Sequence, residues 1–387
     1  MPTNYLRSQK SRFMLVNYDS ALLLTYLFLC GIGLYMMLNL SSVREIQMTT
    51  FIKQLIWFII SAVAMFITFV YIDLKKIRPI IPYLTFINII LLFLVLFLGR
   101  ESKGAIRSFS FFGVSFQPSL TARVMLVMYF AHFIDKKKEL LPDTTPIFFL
   151  KHFLPMIVIT LVSFAIILKQ RHLSTIIISS MTLLSVLWIV RVRLKTILVI
   201  VLIGAIGLFG VLKFGASYRS SRMEVYKKYS LFHKILGIQA ETVSSDDYQT
   251  RESLTSLSKG GFFGVSSDFG QAKNFYLPES NTDYIFSVIG EERGFIGAIL
   301  VFVAYCLIFF RGLLGSWKVE DLYLKIIGIG LTLNIFYNAI VNIGVAMSAF
   351  PSTGVTLPFI SYGGTSLLTN SIALGLILNV TAKRQLC

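Results

Sequence analysis

One carboxylate in this sequence, Asp283, has the surroundings that proton-transfer chemistry at a membrane surface requires. It lies in residues 281–286 (NTDYIF), where a long polar segment meets an apolar run. A carboxylate at such a boundary can act as a general base toward a hydroxyl group. It can equally well cap the N-terminus of the helix that follows, where free backbone N–H groups and the helix dipole favour negative charge. The local sequence is compatible with both interpretations.

Basic residues surround Asp283 along the chain and suit an anionic ligand such as a phosphorylated lipid. The segment 215–284 carries Arg219, Arg222, Lys227, Lys228, Lys234, Arg251, Lys259 and Lys273. Charged or polar residues beside apolar runs are costly in a membrane and are therefore candidates for function. On the same side of the membrane as Asp283 we expect Arg107, Gln117, Arg123, Arg171, His172, Glu291, Glu292 and Arg293.

The residues of the 291–293 cluster (EER) are surrounded by glycines at 290, 294 and 297, which allow close helix approach. We interpret this cluster as a packing device in preference to direct chemistry. The four histidines have no spacing typical of metal ligands, and the three cysteines form no CxxC pair. Neither a zinc site nor a disulfide framework is predicted.

A helix must break near the C-terminus, within residues 351–366 (PSTGVTLPFISYGGTS), which contain two prolines and three glycines. Irregular backbone at membrane depth is tolerated only where it is buried in protein or lines a watery cavity. We therefore expect this segment to form a wall of a cavity.

The elements that position these residues are predicted to be membrane-spanning helices. The chain has 387 residues, of which 55% are hydrophobic and only 14% are charged, and its mean hydropathy is +0.74. Soluble domains carry roughly a quarter charged residues, so a soluble globular domain is excluded. Apolar runs long enough to span a bilayer occur at about 21–40, 55–72, 80–99, 119–134, 153–168, 174–190, 196–214, 285–310, 323–349 and 365–382. The prediction is an all-α polytopic membrane protein with about ten spans, forming a single domain over 1–387.

The distribution of charge predicts the orientation. The net charge is +17, and Lys and Arg lie mostly in short loops between spans, in clusters such as 75–78, 136–138 and 191–195, as the positive-inside bias predicts. Nucleic acid is therefore not the expected partner. We expect the termini to be cytoplasmic and the large loop 215–284 to be extracytoplasmic, since long loops are translocated regardless of charge.

Several motifs taken together resemble the SEDS family, whose members are FtsW, RodA and SpoVE. The most specific are at 342–344 (NIG), 351–354 (PSTG) and 357–368 (LPFISYGGTSLL). Further family marks follow in order at 53–54 (KQ), 104–107 (GAIR), 116–119 (FQPS), 218–222 (YRSSR), 248–249 (YQ), 260–264 (GGFFG), 277–286 (LPESNTDYIF) and 291–294 (EERG). The resemblance covers almost the whole chain.

The resemblance implies a peptidoglycan glycosyltransferase of the bacterial cytoplasmic membrane, which polymerises lipid II into glycan strands outside the cell membrane for division or elongation. It implies a class B penicillin-binding protein and other divisome or elongasome membrane proteins as partners. The family's catalytic aspartate falls on Asp283, and a divalent cation (Mg²⁺ or Mn²⁺) is a candidate cofactor with unknown ligands. Substrate-binding residues are expected at Arg107, Gln117, Arg123, Tyr218, Arg219, Arg222, Gln249, Ser253, Lys273 and Ser361.

The sequence departs from the family pattern at several points. The glutamate and lysine expected after Gln-Pro-Ser are Leu120 and Arg123, and the family's Pro-Asp-x-Gly-Thr appears as residues 171–175 (RHLST). Ser108 stands where tryptophan is usual, and Glu252 precedes Ser253 where glutamine is usual. Two alternatives stay open: a lipid II flippase, and a non-catalytic scaffold for a penicillin-binding protein, which these changes keep in view. General similarity around 353–366 favours the FtsW-type branch over RodA.

Overall fold

The computed structural model describes residues 13–42, 48–102, 105–111, 114–213, 217–230, 245–265, 270, 272 and 277–386. Each predicted span coincides with a helix, and two further helices lie within the long polar segment. The α-helices are α1 (Ser20–Ser42), α2 (Met48–Val70), α3 (Leu74–Ile77), α4 (Ile81–Leu98), α5 (Pro118–Lys136), α6 (Pro146–His152), α7 (Leu154–Lys169), α8 (Leu173–Ile189), α9 (Leu194–Lys213), α10 (Ser217–Tyr229), α11 (Ser245–Gly260), α12 (Ile285–Trp317), α13 (Leu322–Ala346) and α14 (Gly364–Thr381).

Among the described residues, 6 helical stretches are long and apolar enough to cross a membrane. The pair α6 and α7, bent by 83° at a short break, adds a seventh if it is counted as one span. Helix α8 and the first part of α9 are apolar but shorter than these stretches. Helix α5 coincides with a further predicted span and carries the buried Arg123. The all-α, polytopic fold class is confirmed, and the chain is an integral membrane protein.

Helices α13 and α14 form the centre of the bundle. Their most apolar windows are 83% and 78% buried, against 17% for α2. Helix α14 packs against α2, and α13 packs against α12, α5 and α8. The exposed side chains of α2 and α4 are large and apolar, as expected for helices that face lipid. The central position of α13 and α14 matters because the segment between them carries the predicted cavity wall.

Five short strands were not expected from the sequence. Strand β1 (Phe13–Asn17) pairs antiparallel with β5 (Lys383–Leu386), which joins the two ends of the described chain. Strands β2 (Arg100–Ser102), β3 (Ala105–Phe111) and β4 (Val114–Phe116) form an antiparallel meander between α4 and α5. This small sheet carries Arg107.

Helix α12 is interrupted at Gly294, whose φ of 64° and ψ of −164° are not helical. The turn that follows α11 supplies the missing hydrogen bonds, since Phe295 N donates to Gly261 O at 2.9 Å and Ile296 N donates to Phe262 O at 3.3 Å. Polar backbone groups inside a membrane protein need such partners.

The glutamates of the 291–293 cluster hold neighbouring segments. Glu291 and Glu292 are both nearly inaccessible to solvent. Glu291 accepts a hydrogen bond from Ala272 N at 2.8 Å, and Glu292 accepts one from Asn39 Nδ2 at 2.5 Å. Arg293 instead contacts the ring and hydroxyl of Tyr35. These contacts agree with a packing role.

Candidate active site

Asp283 does not cap a helix. Helix α12 begins at Ile285, its N-cap residue is Tyr284, and no side chain caps it. The capping interpretation of Asp283 is therefore wrong. Asp283 is half-buried in a turn in which Thr282 N and Tyr284 N donate to Glu279 O at 3.1 and 3.3 Å. The carboxylate is thus presented by a folded turn that precedes the helix.

The backbone around Asp283 is locked to α13 by one buried amide. Asn342 Nδ2 donates to Asp283 O at 2.8 Å and to Val355 O at 2.6 Å. Because Val355 belongs to the irregular segment between α13 and α14, this side chain joins both loops of the site to one helix.

Ser361 ties the same two loops together. Its Oγ donates to Thr282 O at 2.5 Å and accepts from Leu357 N at 2.8 Å. Next to it, Tyr362 N donates to Asn281 O at 2.8 Å. Ser361 is only 3% exposed, and its hydroxyl joins the two loops. Its predicted contact with substrate stays a prediction.

Asp283 and Arg107 face a common space beside Gly354. A Cβ atom placed on Gly354 would lie 3.5 Å from Asp283 Oδ2 and 4.0 Å from Arg107 Nη1. Gly354 has a φ of +67°, a conformation that side-chain-bearing residues rarely adopt. The glycine therefore both permits the turn and leaves open the space that the carboxylate and the guanidinium share.

A buried polar cluster lies beside this space, where α5 and α8 begin. His172 Nδ1 lies 3.1 Å from Gln117 Nε2, 3.0 Å from Ser119 Oγ and 2.9 Å from Thr175 Oγ1. Burial, together with the positive charges of Arg107 and Arg123, lowers the pKa of His172 to about 3. His172 is consequently a neutral hydrogen-bond partner at physiological pH.

Arg123 is a buried cation whose guanidinium has unused hydrogen-bonding capacity. It is 2% exposed, and its Nε has no hydrogen-bond partner among the described residues. Leu120, one helical turn earlier on α5, offers no carboxylate. A buried charge is costly unless it is paired, so this guanidinium is suited to an anionic ligand.

The other predicted substrate-binding residues lie on helices around the site. Arg222, on α10, donates from Nη1 to Ser352 O at 3.2 Å and so reaches the loop that contains Gly354. Ser253 is buried between helices, where its Oγ donates to Ala346 O at 2.8 Å and lies 2.6 Å from Ser287 Oγ. Gln249 is half-buried on α11.

Two predicted residues are described only in part, and a third is not described. Tyr218 and Arg219 belong to α10, but their side chains lie outside the described residues. Lys273 lies outside them entirely.

The described side chains do not form a metal site by themselves. Within the described ranges no group of three or more His, Cys, Asp or Glu side chains could hold a metal ion. The donor set around Asp283 is instead a carboxylate beside cationic Arg107. The described side chains therefore do not fit a resident Mg²⁺ or Mn²⁺ ion.

The structure reveals supporting residues that were not predicted as site residues. Asn342 is the main one, and Ser174 is a second, since its Oγ donates to Thr353 O at 2.7 Å. Such a supporting residue could have been identified from the sequence as a polar side chain in an apolar helix, close to a segment that cannot be helical. Asn342 satisfies that description, whereas Ser174 is far from the loop in sequence.

Comparisons with known proteins agree with these features. Residues 20–386 match the family FtsW/RodA/SpoVE, described as cell cycle proteins. A probable peptidoglycan glycosyltransferase FtsW of Trichlorobacter lovleyi is 32% identical over 97% of this chain and 96% of its own length. Stage V sporulation protein E of Bacillus subtilis is 31% identical over 94% of this chain and 96% of its own length.

Solved structures share the fold. A chain from a peptidoglycan synthase complex, described as coordinating polymerization and crosslinking, superposes with a TM-score of 0.75 at 23% identity. It covers 95% of this chain and 98% of its own. The rod shape determining protein RodA of Thermus thermophilus gives a TM-score of 0.65 at 22% identity, over 95% of this chain and 97% of its own. The resemblance found in the sequence is thereby confirmed, and this chain belongs to the FtsW/RodA/SpoVE family.

Proposed function

We propose that this chain is a peptidoglycan glycosyltransferase that polymerises lipid II, with Asp283 as its general base. One observation carries the proposal: the carboxylate of Asp283 and the guanidinium of Arg107 face the same space beside Gly354. That space is bordered by irregular backbone, which hydrogen bonds hold against a central helix. Relatives that match nearly the whole chain carry the name of this activity.

The proposed reaction needs one base and one stabilised leaving group. The 4-hydroxyl of the acceptor sugar gives its proton to Asp283 while its oxygen bonds to the anomeric carbon of the donor. The bond between that carbon and the pyrophosphate oxygen breaks, and its electron pair leaves with undecaprenyl pyrophosphate. Negative charge grows on the leaving group, so nearby fixed cations lower the barrier.

Arg107 and Arg123 are the residues that we assign to the pyrophosphate. Arg107 lies beside Asp283, and Arg123 is buried with unused hydrogen-bonding capacity. Both lower the pKa of His172, so each guanidinium lies near that side chain. A guanidinium is suited to phosphate because it can donate two parallel hydrogen bonds.

The orientation of the protein is part of the proposal. The positive loops support cytoplasmic termini and an extracytoplasmic segment 215–284, with Asp283 on that outer side. In a cysteine-free background, we expect an impermeant maleimide to label a cysteine at Ser245 and not one at Lys137. The reverse pattern would place Asp283 on the cytoplasmic side and exclude polymerisation outside the cell membrane.

A class B penicillin-binding protein is the proposed partner, together with other divisome or elongasome proteins. One relative in fold belongs to a synthase complex that combines polymerization with crosslinking. Polymerisation should therefore be measured with and without such a partner.

The decisive experiment is polymerisation of fluorescent lipid II by the purified protein and by Asp283→Asn. Asparagine keeps the size of the side chain but is not a base, so the rate should fall by about 10²–10⁴-fold. Glu252→Gln and Glu279→Gln serve as matched controls and should stay near the parent rate. If Asp283→Asn polymerises normally while one control fails, the base lies elsewhere.

The same experiment separates the alternatives. A scaffold would yield no polymer with any partner. A flippase would move lipid II across vesicle membranes without forming polymer. Either result from a folded protein would overturn the proposed activity.

A further inference from the structure

A second cavity lies at the end of the bundle remote from Asp283. Helix α8 begins at the His172 cluster, α12 begins just after Asp283, and α13 ends just beyond Asn342. The cavity, of about 420 Å³, lies where α8 ends, α12 ends and α13 begins. It is therefore separate from the candidate active site.

Two cations face this otherwise largely apolar cavity. Arg191 and Lys325 line it together with Trp317, Val190, Ile329 and other aliphatic side chains. Trp317 is 54% exposed, which suits a ring at a membrane–water interface.

Neither cation is neutralised by a carboxylate of the described residues. The nearest carboxylate in sequence to Lys325 is Asp321, and that group pairs with Lys75 Nζ at 3.0 Å and caps α13 through Leu324 N. Within the described residues, Arg191 and Lys325 have no ion-pair partner. As far as the described residues go, two uncompensated positive charges therefore border a cavity whose other lining side chains are apolar or aromatic.

Arg191 occupies a backbone position that normally favours glycine. Its φ is +62°, in the turn that ends α8, where Val192 N donates to Leu187 O at 3.1 Å. Glycine is the usual residue at such a helix end, because other residues are strained there. The presence of arginine in place of glycine places a guanidinium at the mouth of the cavity.

We propose that this cavity binds an anionic phospholipid with two phosphates, of the diphosphatidylglycerol type. Its two phosphates match Arg191 and Lys325, and an acyl chain matches the aliphatic walls. Basic pockets between transmembrane helices recognise such headgroups. Given the proposed orientation, the lipid comes from the cytoplasmic leaflet, but binding at this cavity does not depend on the polymerase activity.

The test is native mass spectrometry of the full-length protein in detergent, titrated with tetraoleoyl diphosphatidylglycerol or with dioleoyl phosphatidylcholine. The variant is Arg191→Gly/Lys325→Gln. Glycine relieves the positive φ, and glutamine keeps helix propensity, so this variant should fold. Lys195→Gln/Lys318→Gln removes the same number of charges from exposed residues near the cavity that do not line it.

We expect the anionic lipid to bind the parent and the control equally. It should bind the cavity variant about thirtyfold more weakly, since each cation contributes roughly five- to sixfold to anionic lipid binding. The proposal would be overturned if the cavity variant and the control variant bound the anionic lipid equally well. It would also be overturned if the parent bound the anionic lipid and phosphatidylcholine with equal affinity. The readout is lipid retention, so a failure of lipid II polymerisation would not alter it.

Discussion

Asn338 and Asn342 lie one turn apart on the buried α13, yet they have different surroundings. Asn342 donates to the carbonyls of Asp283 and Val355. Neither amide atom of Asn338 has a hydrogen-bond partner among the described residues, although the side chain is fully buried. Regular helices use their own carbonyls, whereas loops leave carbonyls that need donors. An asparagine therefore organises the site at position 342, where it meets irregular backbone, and has no such role at position 338, one turn deeper.

Among the residues that support the site, the largest expected effect comes from Asn342→Leu. Two loop carbonyls would lose their donor, and each buried unsatisfied group costs about 1–3 kcal/mol. We expect the free energy of unfolding to fall by about 2–6 kcal/mol. We also expect lipid II polymerisation to fall at least about tenfold, because small misplacements of a catalytic group are costly.

Thermal unfolding in detergent and the fluorescent lipid II assay measure these two effects. A folded Asn342→Leu protein with parental activity would show that the amide does not position Asp283, and the contrast with Asn338 would lose its meaning.

Gly354→Ala tests the open space between the carboxylate and the guanidinium. The added methyl group would lie 3.5 Å from Asp283 Oδ2, in the space proposed for substrate. The positive φ adds a cost of about 1–2 kcal/mol for a residue with a side chain. We expect a loss of roughly tenfold in kcat/KM, equivalent to about 1.4 kcal/mol.

Gly204→Ala is the matched control, since a Cβ there meets nothing within 4 Å and alanine favours the helix. It should keep full activity and equal or greater stability. Parental activity of Gly354→Ala would mean that substrate does not enter this space.

His172 gives a prediction about pH. Its pKa is lowered from 6.5 to about 3 by burial and by Arg107 and Arg123. Between those values the unfolded chain takes up a proton that the folded chain does not, so the free energy of unfolding should decrease as pH falls from 6.5 toward 3. At pH 4 this loss could reach about 3 kcal/mol.

His172→Asn has no such titration. Unfolding measured at pH 7 and pH 4 should show a smaller acid-induced loss for this variant than for the parent. An equal loss in both proteins would mean that His172 is not held neutral by its surroundings.

Most of the helical fold could be predicted from the sequence, because long apolar runs have few alternatives in a membrane. The short strands could not, since the two ends of the chain pair across the full sequence and the 100–116 meander has little periodicity. The interruption of α12 at Gly294 could not be predicted either, because the hydrogen bonds that the helix loses there are replaced by the turn after α11, which is distant in sequence.

The candidate site was only partly predictable. Asp283 and Arg107 were identified by residue type, position and family resemblance, but their common position beside Gly354 follows from three segments far apart in sequence. Ser361 and Ser253 were predicted to contact substrate, and the structure shows that both are buried and donate hydrogen bonds to backbone carbonyls. The sequence alone does not show whether a serine contacts a ligand or makes a structural hydrogen bond, because either role needs only one hydroxyl.

The smallest expected effect is that of Asn338→Leu, and it is the sharpest test of the contrast within α13. Burying a polar group without a protein partner costs about 1–3 kcal/mol by mutational measures. Leucine has a similar shape and removes that cost, so the free energy of unfolding should stay the same or rise by up to about 2 kcal/mol. No loop carbonyl depends on Asn338, and polymerisation should therefore stay within about twofold of the parent. If Asn338→Leu instead abolishes polymerisation in a folded protein, Asn338 must contact substrate or a bound molecule, and the functional region extends at least one turn deeper into the bundle than the loops around Asp283.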